Sequence, residues 1–292
     1  MTISRTSVLL LAVLLVTSLA WTQAPSPVPP VRIILVGDST MAVRSGWGPA
    51  FCADVLNEVT CINRARGGRS SGSFRAEGLW TQVMDELKNN AAFKTTYVLI
   101  QFGHNDQPGK PGRSTDLQTE FPVNLRNYVR EVKAAGAKPV LITALTRRWF
   151  VAGRVRNDLE PWAEATRKIA AEESVPLLDL NAESVAAVQK MGPVEANTLA
   201  MAPPPPEVAA TAASGNSAPA PKPPTPAAAT AANALPDTKA PETNKVERQG
   251  EAKANFDYTH LGQKGAELFG RMVANELTKA VPELEPYIKP AQ

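Results

Sequence analysis

"VRIILVGDS", beginning at Val31, is a continuous apolar run apart from Arg32, and it stops abruptly at Gly–Asp–Ser. A run without polar alternation suits a strand buried on both faces, and such strands belong to parallel sheets covered by helices. The theme returns in "TCIN", "TYVLIQFG", "KPVLITAL" and "VPLLDL". Between these runs lie amphipathic stretches of helical spacing, at roughly 48–58, 78–90, 118–135 and 159–173. Strict alternation of strand and helix predicts right-handed crossovers and an α/β fold, a central parallel sheet of about five strands with helices on both faces. In such sheets ligands bind beyond the carboxyl ends of the strands, so the loops there are where chemistry is expected.

Three segments stand outside this alternation. Residues 1–24, "MTISRTSVLLLAVLLVTSLAWTQA", combine a short basic start at Arg5, an apolar run from Val8 and small residues at Thr22 and Ala24. That is the layout of a signal peptide, which predicts an exported protein, periplasmic or extracellular; an uncleaved N-terminal anchor is the alternative. From 193 to 250 the chain holds 12 of its 26 prolines and no Phe, Trp or Tyr. With so little apolar surface to bury, this Pro/Ala-rich tract is expected to be disordered. After it, Leu261, Leu268, Met272, Val273 and Leu277 fall at helical spacing. That helix has one apolar stripe and needs the upstream sheet to cover it, so the tract reads as an insertion within one domain of residues 31–290.

The formal net charge of +3 gives no electrostatic footprint for nucleic acid. Cys52 and Cys61 are the two cysteines. They either pair in an oxidising compartment, closing a short loop between a helix and the next strand, or sit as two small buried hydrophobes. Both readings stand at the level of sequence.

Four segments would meet at one rim of the sheet. Ser39, in "GDSTMA" after the first strand, is placed for nucleophilic attack; its competing role is a cap or turn former. Gly67 and Gly68, in "NRARGGRSSGSF" after the second strand, allow a tight turn that brings an N–H close to a bound group, or only a flexible loop. Asn105, in "QFGHND" after the third strand, offers an amide donor, or only shapes the turn. Asp257, three residues before His260 in "DYTH", can fix the tautomer of that imidazole and leave its other nitrogen free as a base; helix capping by Asp257 or Thr259 competes. Two histidines in separate blocks, without a ligand cluster, point to no metal, and no cofactor is expected. His104 is read as a pocket-lining or a structural residue. Arg69 is read as a contact for a uronate carboxylate or as an arginine paired with a nearby acid.

The order GDS, glycine block, "GHND" and "DYTH" resembles that of the SGNH (GDSL-type) hydrolases, over essentially the whole chain apart from the leader and the tract. Within that superfamily "VGDSTMA", "ARGGRSS", "LIQFGHNDQ" and "DYTHLGQKGAE" look most like the rhamnogalacturonan acetylesterases. The resemblance implies a three-layer, flavodoxin-like α/β/α fold and ester hydrolysis through an acyl-enzyme. It implies Ser39 as nucleophile, Asp257 and His260 as orienter and base, and an oxyanion hole of Ser39 N–H, Gly68 N–H and the Asn105 side chain. The substrate implied is an acetylated pectic polysaccharide. Gly72 and Leu79 depart from the arginines expected at those places, which bears on substrate contacts rather than chemistry. Other readings are a lipase, thioesterase or xylan acetylesterase on the same scaffold, and a non-catalytic polysaccharide-binding envelope protein.

Overall fold

In the computed structural model of the chain, residues 30–218 and 255–290 are described. The leader, and the tract from 219 to 250, lie outside the described residues. Five strands form one parallel sheet: β1 (Val31–Gly37), β2 (Val59–Asn63), β3 (Thr95–Gln101), β4 (Lys138–Ile142) and, after the short antiparallel pair β5 (Phe150–Val151) and β6 (Arg154–Val155), β7 (Leu177–Leu178). The order across the sheet is β2-β1-β3-β4-β7, the flavodoxin-like arrangement. Strand order reverses between β1 and β3, and the crevice beyond their carboxyl ends is the topological switch point where ligands bind in such sheets.

The apolar runs of the central strands are explained by burial on both sides. In β1, Val31, Ile33 and Leu35 face one core and Ile34 and Val36 the other, the period of two that a pleated strand imposes. The first core is closed by α1 (Gly48–Asp54), α6 (Leu180–Asn197) and α8 (Gln263–Ala280). The second is closed by α3 (Leu79–Leu87), α4 (Glu120–Ala134) and α5 (Glu160–Glu172), with the four-residue α2 (Ser73–Ala76) ahead of them. Three layers result.

The last helix is held by the upstream sheet, as its single apolar stripe requires. Phe269, Val273, Ala274 and Leu277 are fully buried, and burying a Phe, Val or Leu side chain is worth about 1.5–3 kcal/mol. Contact with α1 is close enough that a Cβ on Gly270 would lie 2.8 Å from the Phe51 backbone nitrogen. Cys52 on α1 and Cys61 on β2 are joined by a disulfide, with Cα atoms 5.6 Å apart, so the paired reading holds.

The tract needs one correction. Disorder was expected from Pro193, but residues 193–218 are folded. Gly192, at φ +70°, kinks α6, and Pro193 lies in the helical segment that continues to Asn197. A further helix, α7 (Pro206–Ala213), follows. Low aromatic content within the segment was misleading because its partners lie elsewhere in the chain: Val208, Ala212 and Ala218 pack on Phe256, Tyr258 and Trp149. Among the described residues, no helix is long and apolar enough to cross a membrane.

Candidate active site

Ser39 sits one residue past Asp38 at the end of β1, in a loop fixed by a buried polar chain. Trp47 Nε1 donates to Gln101 Oε1 (2.9 Å), and Gln101 Nε2 donates to Thr40 Oγ1 (2.9 Å). Thr40 in turn donates from both its N–H and its hydroxyl to Asp38 Oδ1, at 2.8 Å each. Each of these donors meets a buried acceptor, as a low-dielectric interior demands. The other Asp38 oxygen lies 3.3 Å from His104 Nδ1. Burial works against the Asp38 carboxylate, yet His104 and the Thr40 donors hold it below the usual range. His104 itself is 2% exposed, and burial pushes it below the ordinary imidazole value. It lies beneath the site and supports the Ser39 loop, which favours the structural reading over the pocket-lining one.

Gly68 follows β2 with φ +78°, a conformation that side-chain-bearing residues rarely adopt. Asn105 is 7% exposed and donates from Nδ2 to the Arg69 carbonyl at 3.0 Å. A primary amide has two donors, so one remains for a bound group. The two blocks are bound together one residue further on. Asp106 accepts from Ser71 Oγ (2.6 Å), from Ser71 N (3.0 Å) and from Thr115 Oγ1 (2.9 Å). Burial raises the Asp106 carboxyl to about 6 despite these donors. Arg69 is spent within the chain: its Nε donates to Glu77 at 2.8 Å and its Nη1 to the Gly67 carbonyl at 2.7 Å. The acid it meets is Glu77, the alternative sequence had left open.

Asp257 and His260 are brought together. His260 Nδ1 donates to Asp257 Oδ2 at 2.6 Å, while Thr259 N and His260 N both donate to Asp257 Oδ1 at 2.7 Å. Burial favours the protonated acid, but the His260 ring and these backbone donors outweigh it and bring Asp257 down to about 2. The carboxylate therefore stays charged, and Nε2 is left as the basic nitrogen. This segment docks on the Ser39 loop. Leu261 N donates to the Ser45 carbonyl (2.9 Å), and Ser45 Oγ donates to the Ser39 carbonyl (2.7 Å). On its other side Gly262 N donates to the Leu199 carbonyl (2.9 Å), so the folded part of the tract helps to hold it.

Sequence reasoning missed one residue that shapes this site. Arg148, fully buried after β4, donates from Nη2 to the carbonyls of Asp257 and His260, from Nη1 to that of Thr259 at 3.4 Å, and from its backbone N–H to that of Tyr258 at 2.9 Å. Burial lowers its guanidinium to about 10, while Asp257 acts in the opposite sense. No motif marks it, because its partners are carbonyls that any sequence would supply.

A groove of about 740 Å³ runs beside the Ser39 loop, between α1 and α8, with Val43, Pro49, Ala50, Met201, Leu261 and Ala266 among its lining. Among the described residues, no group of three or more His, Cys, Asp or Glu side chains could hold a metal ion.

A parallel sheet of this order, with a serine loop after its first strand and a bonded Asp–His pair docked against that loop, defines a hydrolase of the flavodoxin-like α/β class. The chain belongs to the GDSL-like lipase/acylhydrolase family, whose sequence model matches residues 35–203, and it is a serine ester hydrolase. That match ends before Asp257. The chain is 33% identical over 177 residues to the probable rhamnogalacturonan acetylesterase YesY of Bacillus subtilis, covering 58% of this chain and 79% of the relative. To the rhamnogalacturonan acetylesterase RhgT of the same organism it is 34% identical over 178 residues, covering 58% of this chain and 73% of that one. The crystal structure of Bacillus subtilis YxiM superposes with a TM-score of 0.57 at 22% identity, spanning 88% of this chain and 58% of that one. The last likeness concerns fold alone.

Proposed function

We propose that this protein is an exported carbohydrate esterase that removes acetyl groups from pectic rhamnogalacturonan through a serine acyl-enzyme. The observation that carries the reading is the Asp257–His260 couple, docked through Leu261 and Ser45 onto the loop that presents Ser39. Ser39 Oγ attacks the acetyl carbonyl as His260 Nε2 takes its proton, and Asp257 stabilises the imidazolium. The tetrahedral oxyanion is held by the N–H groups of Ser39 and Gly68 and by the free Asn105 amide donor. Collapse expels the sugar alkoxide, which takes the proton from His260 and leaves acetyl-Ser39. Water, deprotonated by His260, then releases acetate and restores the serine. The substrate follows the relatives that match over most of their length, whose names specify rhamnogalacturonan. Export rests on the leader sequence and accords with the Cys52–Cys61 disulfide.

Acetate release from acetylated rhamnogalacturonan and from acetylated xylan is the test, with Ser39→Ala as control. Faster release from rhamnogalacturonan, abolished by Ser39→Ala, is expected; a preference for xylan would sink the substrate assignment. A second reading, hydrolysis of longer acyl esters, draws on the largely apolar groove between α1 and α8. Rates on 4-nitrophenyl esters from acetyl to decanoyl separate the two, since a groove that holds acyl chains should make the rate rise with chain length.

A further inference from the structure

The loop from Gln107 to Thr115, directly after Asn105, is closed on itself. Ser114 Oγ accepts from Lys110 N (2.9 Å) and sits 2.8 Å from the Gln107 carbonyl, while Arg113 N and Ser114 N both donate to the Lys110 carbonyl. Gly109 and Gly112, at φ +83° and +70°, make the turns. Lys110 and Arg113 thus stand three residues apart on a fixed frame. Their heads reach the site: Lys110 Nζ donates to the His104 carbonyl, and Arg113 Nη1 reaches the Gly68 carbonyl at 3.5 Å. These carbonyls belong to the two segments that carry Asn105 and Gly68.

Neither cation makes an ion pair with a carboxylate among the described residues, in contrast to neighbouring Arg147, which is paired with Asp158 at 2.7 Å. One neutral carbonyl uses one donor of each, and an ammonium has three and a guanidinium five. The group is also short of negative charge. Burial lowers Lys110 to about 8, Arg147 and Arg113 push the same way, and Asp38 and Asp106 offset this only in part. An anion placed between Lys110 and Arg113 would relieve that repulsion, and a carboxylate matches the guanidinium fork.

We propose that Lys110 and Arg113 form a carboxylate subsite that engages a uronate of the polysaccharide chain beside the esterified sugar. This rests on the pectic reading above and supplies what that reading lacked when Arg69 proved to be paired with Glu77.

The test is competition against 4-nitrophenyl acetate hydrolysis by the full chain, using trigalacturonate and its neutral methyl ester. The free acid should inhibit at least about tenfold more strongly than the ester, as charge-assisted hydrogen bonds imply, and Lys110→Gln/Arg113→Gln should erase that difference. Equal inhibition by acid and ester in the wild type overturns the subsite, without reliance on any variant folding. A difference that survives in the double variant overturns it too. If acetylated xylan proves the better substrate while the acid–ester difference stands, the substrate assignment fails and the subsite remains.

Discussion

One nitrogen of Arg148, Nη2, donates to the backbone carbonyls of both Asp257 and His260, at 2.8 Å each. The two ends of the four-residue segment from Asp257 to His260 are therefore clamped by a side chain that touches neither proposed reacting group. Its guanidinium, buried among carbonyls, holds the backbone of the segment that carries the imidazole.

Arg148→Met should lower kcat by about 10² while KM changes little, since a misplacement of about 1 Å at a reacting centre costs that much. Arg148→Lys should recover part of the loss. Steady-state kinetics on 4-nitrophenyl acetate give the split between kcat and KM. The downfield proton resonance expected of the short His260–Asp257 hydrogen bond should broaden or vanish in the Met variant. A residue needed only for folding would lower the amount of active enzyme and leave that resonance in the fraction still folded.

Asn105→Ala should reduce kcat by about 10²–10³, the usual effect of losing one oxyanion donor. It also deprives the Arg69 carbonyl of its 3.0 Å partner, so the melting temperature should fall by a few degrees at most. Full activity in a folded Asn105→Ala protein would remove Asn105 from the mechanism.

The carboxylate subsite should weaken as pH rises through about 8. Burial, then Arg147 and Arg113, hold the Lys110 ammonium down to that value against Asp38 and Asp106. Below it the lysine is charged and can hold an anion; above it the neutral amine cannot. The inhibition constant of trigalacturonate should therefore rise between pH 7 and 9, and that of the methyl ester should stay level. In Lys110→Gln the pH dependence of the acid should flatten.

Replacing residues 219–254 with a short Gly/Ser linker should preserve hydrolysis. Tyr258 OH donates to the Ala218 carbonyl at 3.0 Å, so the two described ends already meet and a short span can join them. Shortening a closed loop changes its entropy by only on the order of 1 kcal/mol. Extending the deletion back to Pro206 is a different matter. It removes Val208, Ala212 and Ala218 from Phe256 and Tyr258, next to Asp257, and activity should collapse. Matched melting curves and acetate-release assays on the two deletions check both outcomes.

The sheet was legible because its central strands, β1 and β3, are buried on both faces and carry long apolar runs, Ile33 to Val36 being the clearest. The proposed site residues could be named from the sequence because their residue types stand in a fixed order, Ser39 and Asn105 after strands and the Asp257–His260 pair before the last helix, and the structure binds their segments together. What escaped was whatever depends on distant partners. The α7 segment reads as linker because Ala and Pro dominate it, and the aromatic residues that cover it lie beyond 255 or at Trp149. Arg148 escaped because carbonyl acceptors leave no trace in sequence. Arg69 looked available because nothing local announces that Glu77, one helical turn beyond α2's start, will claim it.

The docking of Leu261 onto Ser45 has a consequence for how activity appears during synthesis. By the time the nascent chain has passed Gln101, β1, β2 and β3 can pair and the serine loop can close. The proposed base and orienter, His260 and Asp257, and the helix that covers α1 are made more than 150 residues later, by ordinary translation rates of about 5–20 residues per second some tens of seconds at the slow end. Through that interval a growing chain would carry a nucleophile without its base. On the proposed assignment, the serine loop gains its base only once the segment beyond the tract has been made and has docked on Ser45.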